Sequence, residues 1–117
     1  MTKARFWKTV ENGALVFHMQ VNGHADYVQS GPDIVCAACS MLVQSTMAAL
    51  QEESLCMCEA WVIDAKTGRS YVKCVTKDAL GAERAESMIS VARVGFELLA
   101  AKYPENVSVT GELPENE

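Results

Sequence analysis

Basic residues are missing from almost half of this sequence. Between Lys8 and Lys66 there is no Lys or Arg, while Glu11, Asp26, Asp33, Glu52, Glu53, Glu59 and Asp64 all fall inside that gap. A phosphate cradle built there would have no cation beside it. Over all 117 residues, 10 basic against 15 acidic side chains leave a net charge of −5, which argues against direct nucleic-acid binding. No segment repeats with a period of about 20–50 residues, which excludes a solenoid. One uncharged run is long enough to raise the question of a membrane helix, which needs roughly 20 apolar residues. The longest uncharged run, Ile34–Gln51, has 18 residues, of which Ser40, Gln44, Ser45, Thr46 and Gln51 are polar, so a buried helix is expected there and no membrane contact. The opening MTKARFWKTVENG lacks an apolar signal core and a small-residue cleavage site, and the expectation is a cytoplasmic protein. Histidine is scarce as well: His18 and His24 are the only two.

What is present suits one globular domain. Half the residues are hydrophobic and 21% are charged, enough to build a core and too apolar for a disordered chain. Residues 4–10 alternate as a first strand, and Asn12-Gly13 signals a hairpin turn. In residues 14–21, Leu15, Phe17, Met19 and Val21 fall on one face, and Val16, His18 and Gln20 on the other, where His18 is expected to be solvated. Residues 22–33 hold two Gly, a Pro, two Asp and an Asn, and form a loop.

Asp33 fits the N-cap of a helix running to about Leu50, with Val35, Cys39, Leu42, Thr46 and Leu50 along its buried stripe. Acidic Glu52-Glu53 has the wrong sign for a helix C-terminus, so the helix should stop before it. Residues 57–63 and 70–76 make an antiparallel hairpin around Gly68. A second helix covers about 82–102, with Met88, Val91, Ala92, Gly95, Leu98 and Leu99 inward and Glu83, Arg84, Glu86, Arg93 and Glu97 outward. Residues 107–110 form a last short strand, and the acidic end from about 111 is expected to fray. The order ββαββαβ predicts an α+β two-layer sandwich, a mostly antiparallel sheet with two helices.

Five cysteines, Cys36, Cys39, Cys56, Cys58 and Cys74, are an odd number, and in a reducing cytosol they are expected to be thiols. Three chemistries fit them. Cys36-x2-Cys39 with Cys56-x-Cys58 offers four thiols to zinc, but zinc pairs favour tight turns, and the first pair lies in a helical run. Cys36-Ala37-Ala38-Cys39 has the spacing of a thioredoxin-like dithiol at a helix start, without the preceding βαβ pattern. The third is a nucleophile with a histidine base. Cys36 would sit in the first helical turn, near the positive end of the dipole. His24 follows Gly23 on the loop leading to it, twelve residues away, and could take the thiol proton and return it to a leaving amine. The plainer readings are an exposed loop histidine and a small buried thiol.

The run Gly23-His24-Ala25, then Gly31-Pro32 and Asp33-Ile34-Val35-Cys36-Ala37-Ala38-Cys39-Ser40, resembles the signature of the Prp family, the ribosomal-processing cysteine proteases of bacteria. The likeness is densest from Asn22 to Leu42. Cys39 departs from it, standing where the family usually has an aliphatic residue.

That resemblance implies a cytoplasmic cysteine endopeptidase that removes a short N-terminal extension from one large-subunit ribosomal protein, the L-twenty-seven type near the peptidyl-transferase centre. It implies His24 as base, Cys36 as nucleophile, and Gly23, Asp33 and Ser40 as site-supporting positions. It further implies a homodimer, a loop that orders on substrate, and no cofactor or metal. Asp33 would cap the helix or orient His24. Ser40, four residues after Cys36, would bond near the sulfur or back to the Cys36 carbonyl. The competing readings are a non-catalytic ribosome-associated binding module with an inert Cys36, and a small zinc or thiol regulator.

Overall fold

The computed structural model describes residues 1–23, 34–64 and 69–111, with the backbone alone for residues 60–64. Its elements follow the order β1 (Thr2–Glu11), β2 (Ala14–Asn22), α1 (Ile34–Glu52), β3 (Cys56–Asp64), β4 (Arg69–Thr76), α2 (Ala79–Lys102) and β5 (Val107–Gly111). The fold is α+β, as the element order predicts: five strands in one mixed sheet, with both helices on one face.

The sheet runs β3-β4-β2-β1-β5. Three neighbouring pairs are antiparallel, and β1 with β5 is parallel. The β1–β2 hairpin closes where expected. Asn12 and Gly13 both have positive φ, 52° and 80°, the requirement of a tight two-residue turn whose twist matches the strands. That turn sets Phe6 opposite Met19 on the helix side and Trp7 opposite His18 on the other.

The core lies between sheet and helices. Phe6, Phe17, Met19 and Val72 meet Val35, Cys39, Val43 and Leu50 of α1 and Ala85, Ile89, Ala92 and Phe96 of α2. Phe6 and Phe96 pack as a tilted pair, ring centroids 6.1 Å apart at 59°, which adds roughly 0.5–1.5 kcal/mol beyond burial. By length and composition α1 would pass for a membrane span. Its inner stripe nevertheless packs into this core.

Several expectations need correcting. α1 continues through Glu52, and Glu53 is no liability at its end: its carboxylate accepts from the Leu55 N–H at 3.1 Å and pairs with Arg84 at 3.1 Å. In the α1 stripe Val43 is buried and Leu42 only half-buried, because Leu42 leans onto α2 at Gly95.

α2 starts at Ala79, not Ala82, since Asp78 caps it by accepting from the Gly81 N–H at 2.8 Å. Its buried stripe is Gly81, Ala85, Ile89, Ala92 and Phe96. Val91 and Leu98, expected inside, are 71% and 68% exposed. Ala92 is buried, Met88 and Leu99 pack against the core and Gly95 faces Leu42, all as expected; the helix is apolar on more than one side, so periodicity alone misplaced Val91 and Leu98.

Candidate active site

α1 turns into β3 through only Glu53, Ser54 and Leu55, so the two run antiparallel and α1 begins over the far end of β3. The β3–β4 and β2–β4 registers place that end beside Ser70 of β4 and Val21 of β2. The chain therefore leaves β2 and enters α1 at the same end of the sheet, where three of the five expected site residues are described.

Cys36 is the third residue of α1, as expected, and half-buried against the core. Cys39, one turn on, is buried at 5% exposure, and Ser40 is exposed. Gly23 has φ +89°, and a Cβ there would run into the Met1 carbonyl oxygen. Two constraints thus demand glycine just after β2. Beside it, Asn22 Oδ1 is buried with no hydrogen-bond partner among the described residues. His24 and Asp33 lie outside the described residues, as do the rest of the 24–33 loop and Gly68.

The other histidine contradicts its expected solvation. His18 is 5% exposed on the helix-free face of the sheet. Its Nδ1 lies 2.6 Å from the Tyr71 hydroxyl and its Nε2 2.8 Å from that of Thr9. A neutral ring serves both, donating through one nitrogen and accepting through the other. Trp7 stacks on the imidazole at 4.8 Å, and the Arg5 guanidinium covers Trp7 at 4.6 Å. Burial, opposed by nearby Glu11 and assisted by Lys73, holds the His18 pKa below its ordinary value. Nothing in one strand's alternation shows this ladder, because it takes three strands in register to build it.

The sheet separates His18 from every cysteine. Cys74 pairs with Phe17 and Cys58, so the three point to the core side, while His18, Lys73 and Glu59 point away. Cys56 shares the parity of Cys58 and donates from Sγ to the Gly81 carbonyl at 3.6 Å. Cys36 and Cys39 sit on α1, on the same core side.

Burial raises the thiol pKa of Cys56 and Cys74 and pushes that of Cys58 up to about 11. These three are protonated, inert thiols at neutral pH. None of the five cysteines is in a disulfide, and among the described residues no three Cys, His, Asp or Glu side chains converge as metal ligands.

The sequence matches the family of the cysteine protease Prp over residues 1–108. The chain belongs to the Prp family. Solved structures agree on the fold. The essential ribosomal processing protease Prp of S. aureus, solved with a covalently linked product peptide, superposes with a TM-score of 0.76 at 20% identity, covering 96% of this chain and all of that one. The same Prp with a substrate peptide gives 0.68 at 18% identity, with 96% and 100% covered. SMU.848 from Streptococcus mutans gives 0.67 at 27% identity, with 95% and 93% covered. No curated protein matches the sequence.

Proposed function

We propose that this Prp-family chain is a cysteine endopeptidase that trims the N-terminal extension from a large-subunit ribosomal protein of the L-twenty-seven type during ribosome maturation. The observation that carries the dyad is the position of the sheet. His18 is locked on the face away from all five cysteines, which leaves His24 as the chain's remaining histidine. Gly23, the residue before His24 in the sequence, lies at the end of the sheet where α1 presents Cys36.

In this reading the Cys36 sulfur attacks the scissile carbonyl and gives its proton to His24. The imidazole returns that proton to the leaving amine, and water then cleaves the thioester. First-turn N–H groups of α1 stabilise the anion that forms on the carbonyl oxygen. Asp33 and Ser40 support the site, Asp33 as the α1 cap or as the partner of His24, and Ser40 one turn beyond the sulfur. No cofactor takes part.

A cytoplasmic homodimer completes the proposal. Val91, Val94 and Leu98 stand on the solvent side of α2 at three- and four-residue spacing, the pattern of a helix seam. A second copy packed antiparallel sets Val91 against Leu98. Sedimentation of Leu98→Glu as a monomer, against a dimeric parent, tests that surface, and cell fractionation tests the compartment.

The deciding experiment incubates the purified protein with the extended ribosomal protein and follows intact mass. Loss of the extension as a single N-terminal fragment is expected. An unaltered substrate mass would overturn the proposal.

A further inference from the structure

The Cys36-Ala37-Ala38-Cys39 spacing is not used by the proposed cleavage chemistry, and the fold gives it a precise geometry. Three residues apart on an α-helix, two Cα atoms are about 5 Å from each other, inside the roughly 4.4–6.8 Å that a disulfide spans. Their Cβ atoms stand about 5–6 Å apart, against the roughly 3.5–4.5 Å of a disulfide, so the intervening turn must tighten. Cys36 is the third residue of α1, in the first turn, where a helix has the fewest intrahelical hydrogen bonds to disturb.

We propose that Cys39 is a resolving thiol for Cys36, making the pair a reversible peroxide-responsive dithiol inside the site. The asymmetry of the pair suits those roles. Cys36 is half-buried and Cys39, one turn on, is 5% exposed, so peroxide reaches Cys36 first. The Cys36 thiolate attacks one oxygen of hydrogen peroxide. A sulfur–oxygen bond forms, the peroxide bond breaks, and water leaves after taking up a proton. The Cys39 sulfur then attacks the Cys36 sulfur, the sulfur–oxygen bond breaks, and a second water leaves. In sum two thiols and one peroxide give one disulfide and two waters, with two electrons passing from sulfur to oxygen. A small dithiol reverses it.

Cys56, Cys58 and Cys74 are poorer partners. They belong to β3 and β4, on separate elements, whereas Cys39 is fixed one helical turn from Cys36 on α1 itself. The inference rests on Cys36 as nucleophile for its consequence, reversible shutdown of cleavage, but not for the disulfide itself.

The test treats fully reduced protein with hydrogen peroxide, then reads intact mass and a chymotryptic map. Trypsin is unsuitable because Thr9–Lys66 has no internal Lys or Arg and would keep Cys36, Cys39, Cys56 and Cys58 in one peptide. The expected product is about 2 Da lighter, bridged Cys36 to Cys39, and restored by dithiothreitol. Cys39→Val should cleave substrate normally when reduced. Under peroxide it should instead gain about 32 Da at Cys36 and lose activity irreversibly about tenfold faster than the parent.

Equal rates of irreversible oxidation in parent and Cys39→Val would overturn the proposal, and so would a bridge from Cys36 to Cys58. Cys39→Ala repeats the comparison if the valine variant does not fold. A protein that forms the bridge but never cleaves substrate would sink the protease reading and leave the dithiol standing.

Discussion

Trp7 and His18 stack face to face across β1 and β2 on the helix-free side of the sheet, their ring centroids 4.8 Å apart and their planes 1° from parallel. Tyr71 of β4 extends the ladder, 5.9 Å from His18 at 22°. The arrangement holds a titratable ring away from water in its neutral form, which ties stability to pH.

His18 has its folded-state pKa lowered, chiefly by burial. As pH falls through about 6.5, the unfolded chain binds this proton before the folded one does. Stability should therefore drop with falling pH from that point down to the folded pKa, and be fully present above it. Urea unfolding of the parent and His18→Gln between pH 5 and 8 checks this. The variant should show a flatter profile on the acid side, and equal slopes in both proteins would contradict it.

Two helix glycines should answer alanine differently. A Cβ at Gly81 would lie 2.5 Å from the Leu55 carbonyl oxygen, a backbone atom held in the α1–β3 turn. At Gly95 it would meet the Leu42 Cδ2 at 2.7 Å, the tip of a half-buried side chain that can rotate aside. Alanine improves helix propensity by about 1 kcal/mol at either site. Gly81→Ala should nonetheless lower the melting temperature clearly, and Gly95→Ala should change it little, both read by calorimetry.

Gly23→Ala should be harmful to fold and site together. It places a side chain at φ +89° and against the Met1 carbonyl. Strain of that kind costs about 1–3 kcal/mol before the collision is counted. Thermal unfolding should fall accordingly, and cleavage of the extended ribosomal protein should fall with it. Unchanged values of both would remove Gly23 from the supporting set.

Cys36→Ala and His24→Ala should each abolish cleavage while leaving far-UV circular dichroism and melting temperature near the parent's. Cys36 is only half-buried and stands outside the group of largest fully buried side chains that hold the sheet to the helices. Turnover retained by Cys36→Ala would exclude it as the nucleophile.

Alkylation should follow access and protonation. With its pKa pushed up to about 11, Cys58 stays in the thiol form at pH 7.5. Cys74, fully buried, should react only after unfolding. Iodoacetamide followed by peptide mapping should find Cys36 labelled first. Cys58 or Cys74 labelled ahead of it would contradict the order.

The sequence by itself determined the elements and their class. Strand alternation in 14–21, Asn12-Gly13 and the uncharged run of α1 are local signals, and local backbone preference is enough to read them. The Cys36 position in the first turn of α1 was legible for the same reason. Family membership was legible too, in the residues from Gly23 to Ser40.

What only the tertiary structure decided is which faces meet. His18 looked like a solvated strand residue because one strand cannot show that Trp7 and Tyr71 flank it from two neighbours. α2 offers Val91 and Leu98 as plausibly as Ile89 and Phe96, and the choice of the stripe through Gly81, Ala85 and Ala92 comes from packing against α1, β5 and β2, with Gly81 set against the Leu55 carbonyl. The assignment of β1 to the sheet interior, parallel to β5, joins the two ends of the chain and has no signature in either segment. Each depends on contacts between residues far apart in sequence, and periodicity carries no record of them.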